Sequence, residues 1–267
     1  MLTDRGTLVF AQRDSDGLIE VLDNDGVRTL YFGTRAAQSS MLLYAPSVLA
    51  LEYTRCMLAA LLFQPRPQNI LLIGLGGGSL VRYLLDHFPQ ANIVCVESRP
   101  SILDLARRYF LLPERPQLQV HVGDGADFLR DCAPGRFDLV LVDAFDSEGV
   151  HESVCSASFF ADCRRVLARS GVLSINLWTT PSAPIKSILA QMQQGFGGQI
   201  LRLPVEKRAN LIALGLVTPH SRQDLKRLRA SARTSSGRFG LDFPNQLRRI
   251  EQHSGNVFSR LLSWGRR

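Results

Sequence analysis

Asn69-Ile70-Leu71-Leu72-Ile73-Gly74-Leu75-Gly76-Gly77-Gly78-Ser79 is the stretch that decides the fold. Its first half is a short apolar run of the kind that forms a strand buried on both faces. The four glycines then break the run and force a tight turn, after which Leu80 to His87 reads as a helix. Strand, glycine turn and helix make the first half of a β-α-β unit. Glycine lets the backbone approach a ligand closely and adopt φ angles that side chains disfavour. The helix that follows offers unpaired N–H groups at its start. Taken alone, such a turn has an equally simple explanation in its tightness.

Working outward, the same alternation repeats. Asn92–Val96, Leu118–Val122, Phe137–Val142 and Gly171–Leu177 read as strands. Ser101–Phe110, Ala126–Cys132, Ser158–Leu167 and Ile185–Gln194 read as the helices that follow them. Such a series predicts a mainly parallel sheet covered on both faces. Gln199–Pro204 and Asn210–Val217 lie too close together for a helical crossover and are expected to pair as an antiparallel hairpin. The fold class is therefore α/β: a doubly wound, mainly parallel seven-stranded sheet with an antiparallel last strand, which resembles the methyltransferase variant of the Rossmann fold. Upstream, Thr7–Arg13, Leu18–Leu22 and Val27–Phe32 are strand-like, with a turn at Asp23-Asn24-Asp25-Gly26. Pro46–Phe63 reads as one helix, with its proline in the first turn, and Gln64-Pro65-Arg66-Pro67-Gln68 as a stiff linker. The expected organisation is a small N-terminal β domain (1–45), a Rossmann-like catalytic domain (46–217) and a basic C-terminal extension (218–267).

Composition narrows the function classes. No apolar stretch approaches the roughly 20 residues a membrane helix needs, and the N-terminus lacks the layout of a signal peptide; a cytoplasmic location with no membrane partner is expected. The five cysteines, Cys56, Cys95, Cys132, Cys155 and Cys163, include no C-x-x-C pair, and the histidines fall at no metal-ligand spacing, so no metal is expected. His121 is expected to pack inside its strand. The net charge of +7 is uneven: Thr218–Arg267 carries eleven Lys and Arg against three acids, a local +8, which leaves the rest near neutral. Nucleic acid is therefore not the expected partner of the core. The tail, in which Arg222–Ala230 and Pro244–His253 read as helices, is expected to be either a solvated extension or a contact for an anionic partner.

Ligands of doubly wound sheets bind at the carboxyl ends of the strands, where the strand order reverses. Three signals fall there in sequence. The first is the loop with Gly74, Gly76, Gly77 and Gly78. The second is Glu97, 23 residues beyond Gly74 at the end of the next strand, where a carboxylate can accept hydrogen bonds from both hydroxyls of a ribose. The third is Gly123-Asp124-Gly125, where Asp124 and Gly125 stand ready for an adenine amino group; Asp124 can equally cap the following helix. Together they point to S-adenosylmethionine or a close relative. A nicotinamide fingerprint would want glycine where Ser79 stands.

The fourth strand runs into Asp143, and Asp143, Asp146, Glu148 and Glu152 put four acids within ten residues, beside the expected sulfonium. Such a cluster suits a cationic substrate. Here the sequence resembles the spermidine synthase family of polyamine aminopropyltransferases, from about Gly6 to Trp178. Asp143-Ala144-Phe145-Asp146 is similar to the family's D-x-x-D, and Glu152–Phe160 to its E-S-L-F-T-x-x-F-Y run. Gly123-Asp124-Gly125 resembles its adenine-side segment. Gln38 falls on a nucleoside-contacting glutamine, and Tyr53 on the tyrosine of Y-[HQ]-E-M.

The resemblance implies a transferase of polyamine biosynthesis that moves the aminopropyl group of decarboxylated S-adenosylmethionine to an amine or polyamine, with Asp143 as base. It also implies that Asp146, Tyr53 and Glu152 hold the amine, and that the protein is a homodimer. Several positions depart from the family. Gly77 stands where it has an aspartate facing the aminopropyl ammonium; Thr54, Arg55 and Val150 replace further motif residues. Two alternatives therefore stay open: methyl or other alkyl transfer from S-adenosylmethionine itself, and nucleoside binding without turnover. Arg55 is expected either to pair with Glu52 or to receive a ligand carboxylate.

Overall fold

In the computed structural model, which describes residues 2–3, 5–144, 155–179, 183–218 and 222–254, the chain forms two sheets. The first is antiparallel, in the order β1 (Leu2–Thr3), β2 (Gly6–Asp14), β3 (Gly17–Asn24), β4 (Val27–Tyr31) and β5 (Ala37–Leu42). β5 has no counterpart among the strands expected from the sequence. Its Ser39 and Ser40 are weak strand formers that are buried here through hydroxyl contacts, Ser40 with Thr29 and Ser39 with Ser79.

The second sheet contains β6 (Asn69–Ile73), β7 (Asn92–Glu97), β8 (Leu118–Val122), β9 (Phe137–Val142), β10 (Leu167–Trp178), β11 (Ile200–Pro204) and β12 (Asn210–Leu216). Its order is β11-β12-β10-β9-β6-β7-β8, and β12 runs antiparallel to both β10 and β11. This is the doubly wound sheet with a reversed last strand that the alternation predicts. Chain order turns back between β6 and β9, so the switch point lies where Gly74 and Asp143 leave the sheet. Helices α2 (Ser79–His87), α3 (Pro100–Tyr109), α4 (Gly125–Asp131), α5 (Ala157–Val166) and α6 (Ile185–Gly195) follow their strands.

Three expectations are corrected. Pro46–Phe63 is not one helix: α1 spans Glu52–Met57 and tightens into a 3₁₀ turn at Leu58–Leu62. The preceding segment is spent in turns, with the Val48 N–H donating to the Ala45 carbonyl at 3.0 Å, before Leu49 bridges to Met41, and the Pro46 carbonyl is taken by Arg82. His121 is exposed on the edge strand β8, its ring against Phe128 with centroids 5.2 Å apart. The described part of the tail is not a solvated extension. It forms α7 (Arg222–Phe239) and α8 (Phe243–His253), which pack onto the core through Ala232, Phe239, Leu241, Phe243, Leu247 and Ile250. Asp242 caps α8 through the Asn245 N–H, and Pro244 sits in the first turn, where its missing N–H costs nothing.

Candidate active site

The glycine loop is shaped by its neighbours. Gly74 has φ +93°, donates its N–H to the Val96 carbonyl at 2.8 Å, and packs so closely that a side chain there would overlap the Asp143 carbonyl. Asp143 in turn donates its N–H to Ile73 at 2.8 Å. The absence of a Cβ at 74 thus lets the end of β9 lie against the loop. A β-carbon on Gly77 would sit 2.8 Å from the Phe110 ring and 2.9 Å from Ser39 Oγ. Phe110 is fully buried among residues of the first sheet, including Ile19, Val21 and Leu30. Gly76 and Gly78 both have left-handed φ, and Gly78 caps α2.

Glu97, buried at the end of β7, faces this loop. Its Oε2 accepts the Leu75 N–H at 2.8 Å and its Oε1 accepts the Arg99 N–H at 3.0 Å. Asp124 caps α4, accepting the N–H groups of Ala126 and Asp127 at 2.8 and 3.0 Å. Gly125 is packed against Ile73, where a side chain would collide with the isoleucine methyl. The capping and packing roles of these two residues are therefore on view, alongside their position at the end of β8.

Beyond β9, the Asp143 carboxylate is gripped from both sides. Oδ1 accepts from Asn176 Nδ2 of β10 at 2.9 Å. Oδ2 lies 3.2 Å from the Tyr53 hydroxyl of α1, which also donates to the Gln38 main-chain carbonyl at 2.9 Å. Burial pushes the Asp143 pKa up to about 6, against the opposing pull of Asn176 and Tyr53 and with help from the Glu97 charge. Burial and the Asp143 charge raise the Tyr53 pKa well above the phenol range, so Tyr53 stays a neutral donor. Asn210 of β12 completes the cluster by donating to Asn176 Oδ1 at 3.0 Å.

Arg55 pairs with Glu52 at 3.3 Å and donates to the Leu49 and Ala50 carbonyls, so it braces the start of its own helix. Behind the loop, Arg82 is buried and bonds the carbonyls of Pro46, Gly77 and Phe110; burial lowers its pKa to about 10. Asp146 and Glu152, together with Glu148 and His151, lie outside the described residues. Among the described residues no group of three or more His, Cys, Asp or Glu could hold a metal.

Of the predicted residues, Gln38, Tyr53, Gly74, Gly76, Gly77, Gly78, Glu97 and Asp143 converge on the switch point. Asn176, Asn210 and Arg82 were missed. A signal for Asn176 was present: Ser174 and Asn176 are polar at alternate positions of a strand otherwise apolar from Val172 to Leu177. Ser174 is also committed, donating to the Met57 carbonyl at the end of α1.

Residues 52–196 match the family model for the spermine/spermidine synthase domain. The chain is 33% identical to the polyamine aminopropyltransferase of Chromobacterium violaceum, over 91% of this chain and 93% of that protein. It is also 30% identical to the mouse eEF1A lysine and N-terminal methyltransferase, over 56% of this chain and 24% of that protein. In fold it is similar to the crystal structure of a probable spermidine synthase from Corynebacterium glutamicum, with TM-score 0.70 and 21% identity over 86% of this chain and 88% of that one.

Proposed function

The chain belongs to the spermine/spermidine synthase family, and from that premise we propose that it is an aminopropyltransferase of polyamine biosynthesis. Decarboxylated S-adenosylmethionine is the donor, and an amine or polyamine the acceptor. The observation that carries the reading is the partly buried Asp143 carboxylate, shared between Tyr53 and Asn176 at the switch point and next to the glycine loop.

The nucleoside lies along the strand ends. Glu97 receives the ribose hydroxyls on the lone pairs that Leu75 and Arg99 leave open, Asp124 and Gly125 flank the adenine, Gln38 closes the near side, and Gly74, Gly76, Gly77 and Gly78 line the floor. The attacking amine must be neutral, although its ordinary pKa is near that of lysine, about 10.4. Its nitrogen attacks the methylene next to sulfur. The C–N bond forms, the C–S bond breaks with its electron pair going to sulfur, and methylthioadenosine leaves. The nitrogen's surplus proton passes to Asp143, a base whose pKa of about 6 keeps it ionised at neutral pH. Tyr53, Asp146 and Glu152 hold the amine. The same reading makes the protein a cytoplasmic homodimer, which sedimentation would check.

One observation favours a second reading, methyl transfer from S-adenosylmethionine. Phe110 and Ser39 fill the space where a side chain on residue 77 would go, so position 77 offers no carboxylate to repel the ligand's own. Mass spectrometry of the products decides. Methylthioadenosine formed from the decarboxylated donor and a diamine supports the first reading; S-adenosylhomocysteine formed from S-adenosylmethionine replaces it with the second.

A further inference from the structure

The polar residues of β10 and β12 do more than fill the interior. Asn176 is 3% exposed, inside a strand where a buried amide needs all its partners. Its Oδ1 accepts from Asn210 Nδ2 at 3.0 Å, which holds the amide with its NH2 end toward Asp143, the orientation that an ionised carboxylate, an acceptor only, requires. With the oxygen engaged, the Nδ2 hydrogens are the ones turned toward Asp143 Oδ1, 2.9 Å away. The two asparagines come from neighbouring antiparallel strands, Asn210 opposite Trp178 and Asn176 opposite Ile212, so the sheet register itself sets their spacing.

We propose that Asn210 and Asn176 form a positioning relay that commits Asp143 Oδ1 to a fixed donor and leaves Oδ2, the oxygen beside Tyr53, as the one that takes the proton. The proposal rests on the reading of Asp143 as base. With Oδ1 tied, a proton arriving on Oδ2 finds the Tyr53 oxygen 3.2 Å away, and the Tyr53 hydrogen turns fully to the Gln38 carbonyl at 2.9 Å. When Oδ2 is bare, the same hydrogen turns back to it. The hydroxyl rotor thus follows the proton, and one hydrogen serves both states. Asn176 favours the ionised carboxylate, because a donor stabilises charge on its acceptor. Among the described residues, the titratable groups acting on Asp143 are Tyr53 from α1 and Glu97 from β7, the latter favouring protonation. Neither Asn176 nor Asn210 titrates, so the relay biases Asp143 in the same sense at every pH.

The test is direct titration of Asp143 in protein carrying ¹³C-labelled aspartate carboxyls, with Asp143→Asn identifying the resonance by its loss. In Asn176→Leu the midpoint moves up by about one pH unit, the size expected for a lost donor to a partly buried carboxylate. Asn210→Leu, at a less buried position, moves it part of the way with Asn176 still present and adds nothing to Asn176→Leu. Melting curves establish that each variant is folded. A midpoint unchanged in folded Asn176→Leu, or an Asn210→Leu shift that persists undiminished without Asn176, overturns the relay. Product analysis of the wild type runs in parallel. Absence of aminopropyl transfer defeats the functional reading, while the titration still judges the relay.

Discussion

Gly74 and Asp143 compete for one volume: a β-carbon on Gly74 would fall on the main-chain carbonyl of Asp143. The glycine also holds φ +93°, a conformation that other residues adopt only at a cost. Gly74→Ala therefore strains the loop by about 1–2 kcal/mol and pushes the end of β9 away from it. The expected result is a lower melting temperature and at least a tenfold loss of kcat, since Asp143 moves with its backbone. A variant with wild-type turnover would show that the loop and β9 are not coupled in this way.

Tyr53 touches Asp143 Oδ2 and the Gln38 carbonyl with one hydroxyl. Tyr53→Phe keeps the ring and removes both contacts. Without that donor the Asp143 pKa rises from its value of about 6. The low-pH limb of kcat/KM then moves toward higher pH, and kcat at neutral pH falls roughly tenfold or more. A pH–rate profile over pH 5 to 9 reads both effects. An unmoved limb would mean that Tyr53 holds the substrate without acting on the base.

The sheet was legible because its signals are local. The apolar run Ile70–Ile73, the glycines after it and Glu97 at the next strand end each announce themselves within a few residues. Asp143 stood out through the acids that follow it. The relay was not legible, because Asn176 and Asn210 acquire meaning only when β10 and β12 align in register. The same is true of Arg82, whose three carbonyl partners come from segments 36 residues before it, five before it and 28 after it. The tail was not legible as core because Lys226, Arg227, Arg229, Arg233 and Arg238 lie on the outer face of α7. Among the described residues, Leu228, Ala232 and Phe239, spaced four and seven residues apart, mark the inner one.

Burial of Asp143 carries a stability consequence with a definite sign. Its native pKa of about 6 stands above the ordinary 3.8. Between those values the native protein keeps a proton that the unfolded chain has released. The favourable term is thus full below pH 3.8 and is lost as pH rises through 6. Asp143→Asn mimics the protonated acid: it accepts from Asn176 and donates to Tyr53. The variant is inactive, and above pH 7 more stable than the wild type by up to about 3 kcal/mol, with the difference vanishing below pH 4. Chemical denaturation at pH 4 and pH 8 checks this; a gap independent of pH would contradict it.

Helix α8 is part of the core. Ile250 and Phe243 are fully buried against the sheet, and Gln246 bonds the Arg55 carbonyl at 3.0 Å, so α8 also touches the helix that carries Tyr53. Ile250→Ala is expected to cost about 2–5 kcal/mol, read by urea denaturation. Removing residues 240–267 lowers activity as well as stability, because α1 loses its backing. Truncated protein with the original melting temperature would return the tail to the status of an appendage.

Position 77 separates the two readings of the chemistry. A side chain there meets the Phe110 ring at 2.8 Å and Ser39 Oγ at 2.9 Å. Phe110 cannot retreat freely, because Ile19, Val21, Leu30, Met41, Ile102 and Leu105 pack around it. Gly77→Asp therefore costs about 1–3 kcal/mol by overpacking, and Phe110→Leu in the same chain recovers part of that. In the relieved double variant the new carboxylate should weaken S-adenosylmethionine, whose carboxylate it repels, more than the decarboxylated donor, whose ammonium it attracts. Calorimetry with both ligands on both proteins gives the answer as a ratio. A ratio that moves at least tenfold toward the decarboxylated form places the donor's tail beside residue 77. An unchanged ratio places the tail elsewhere and removes the support that Gly77 lends to methyl transfer.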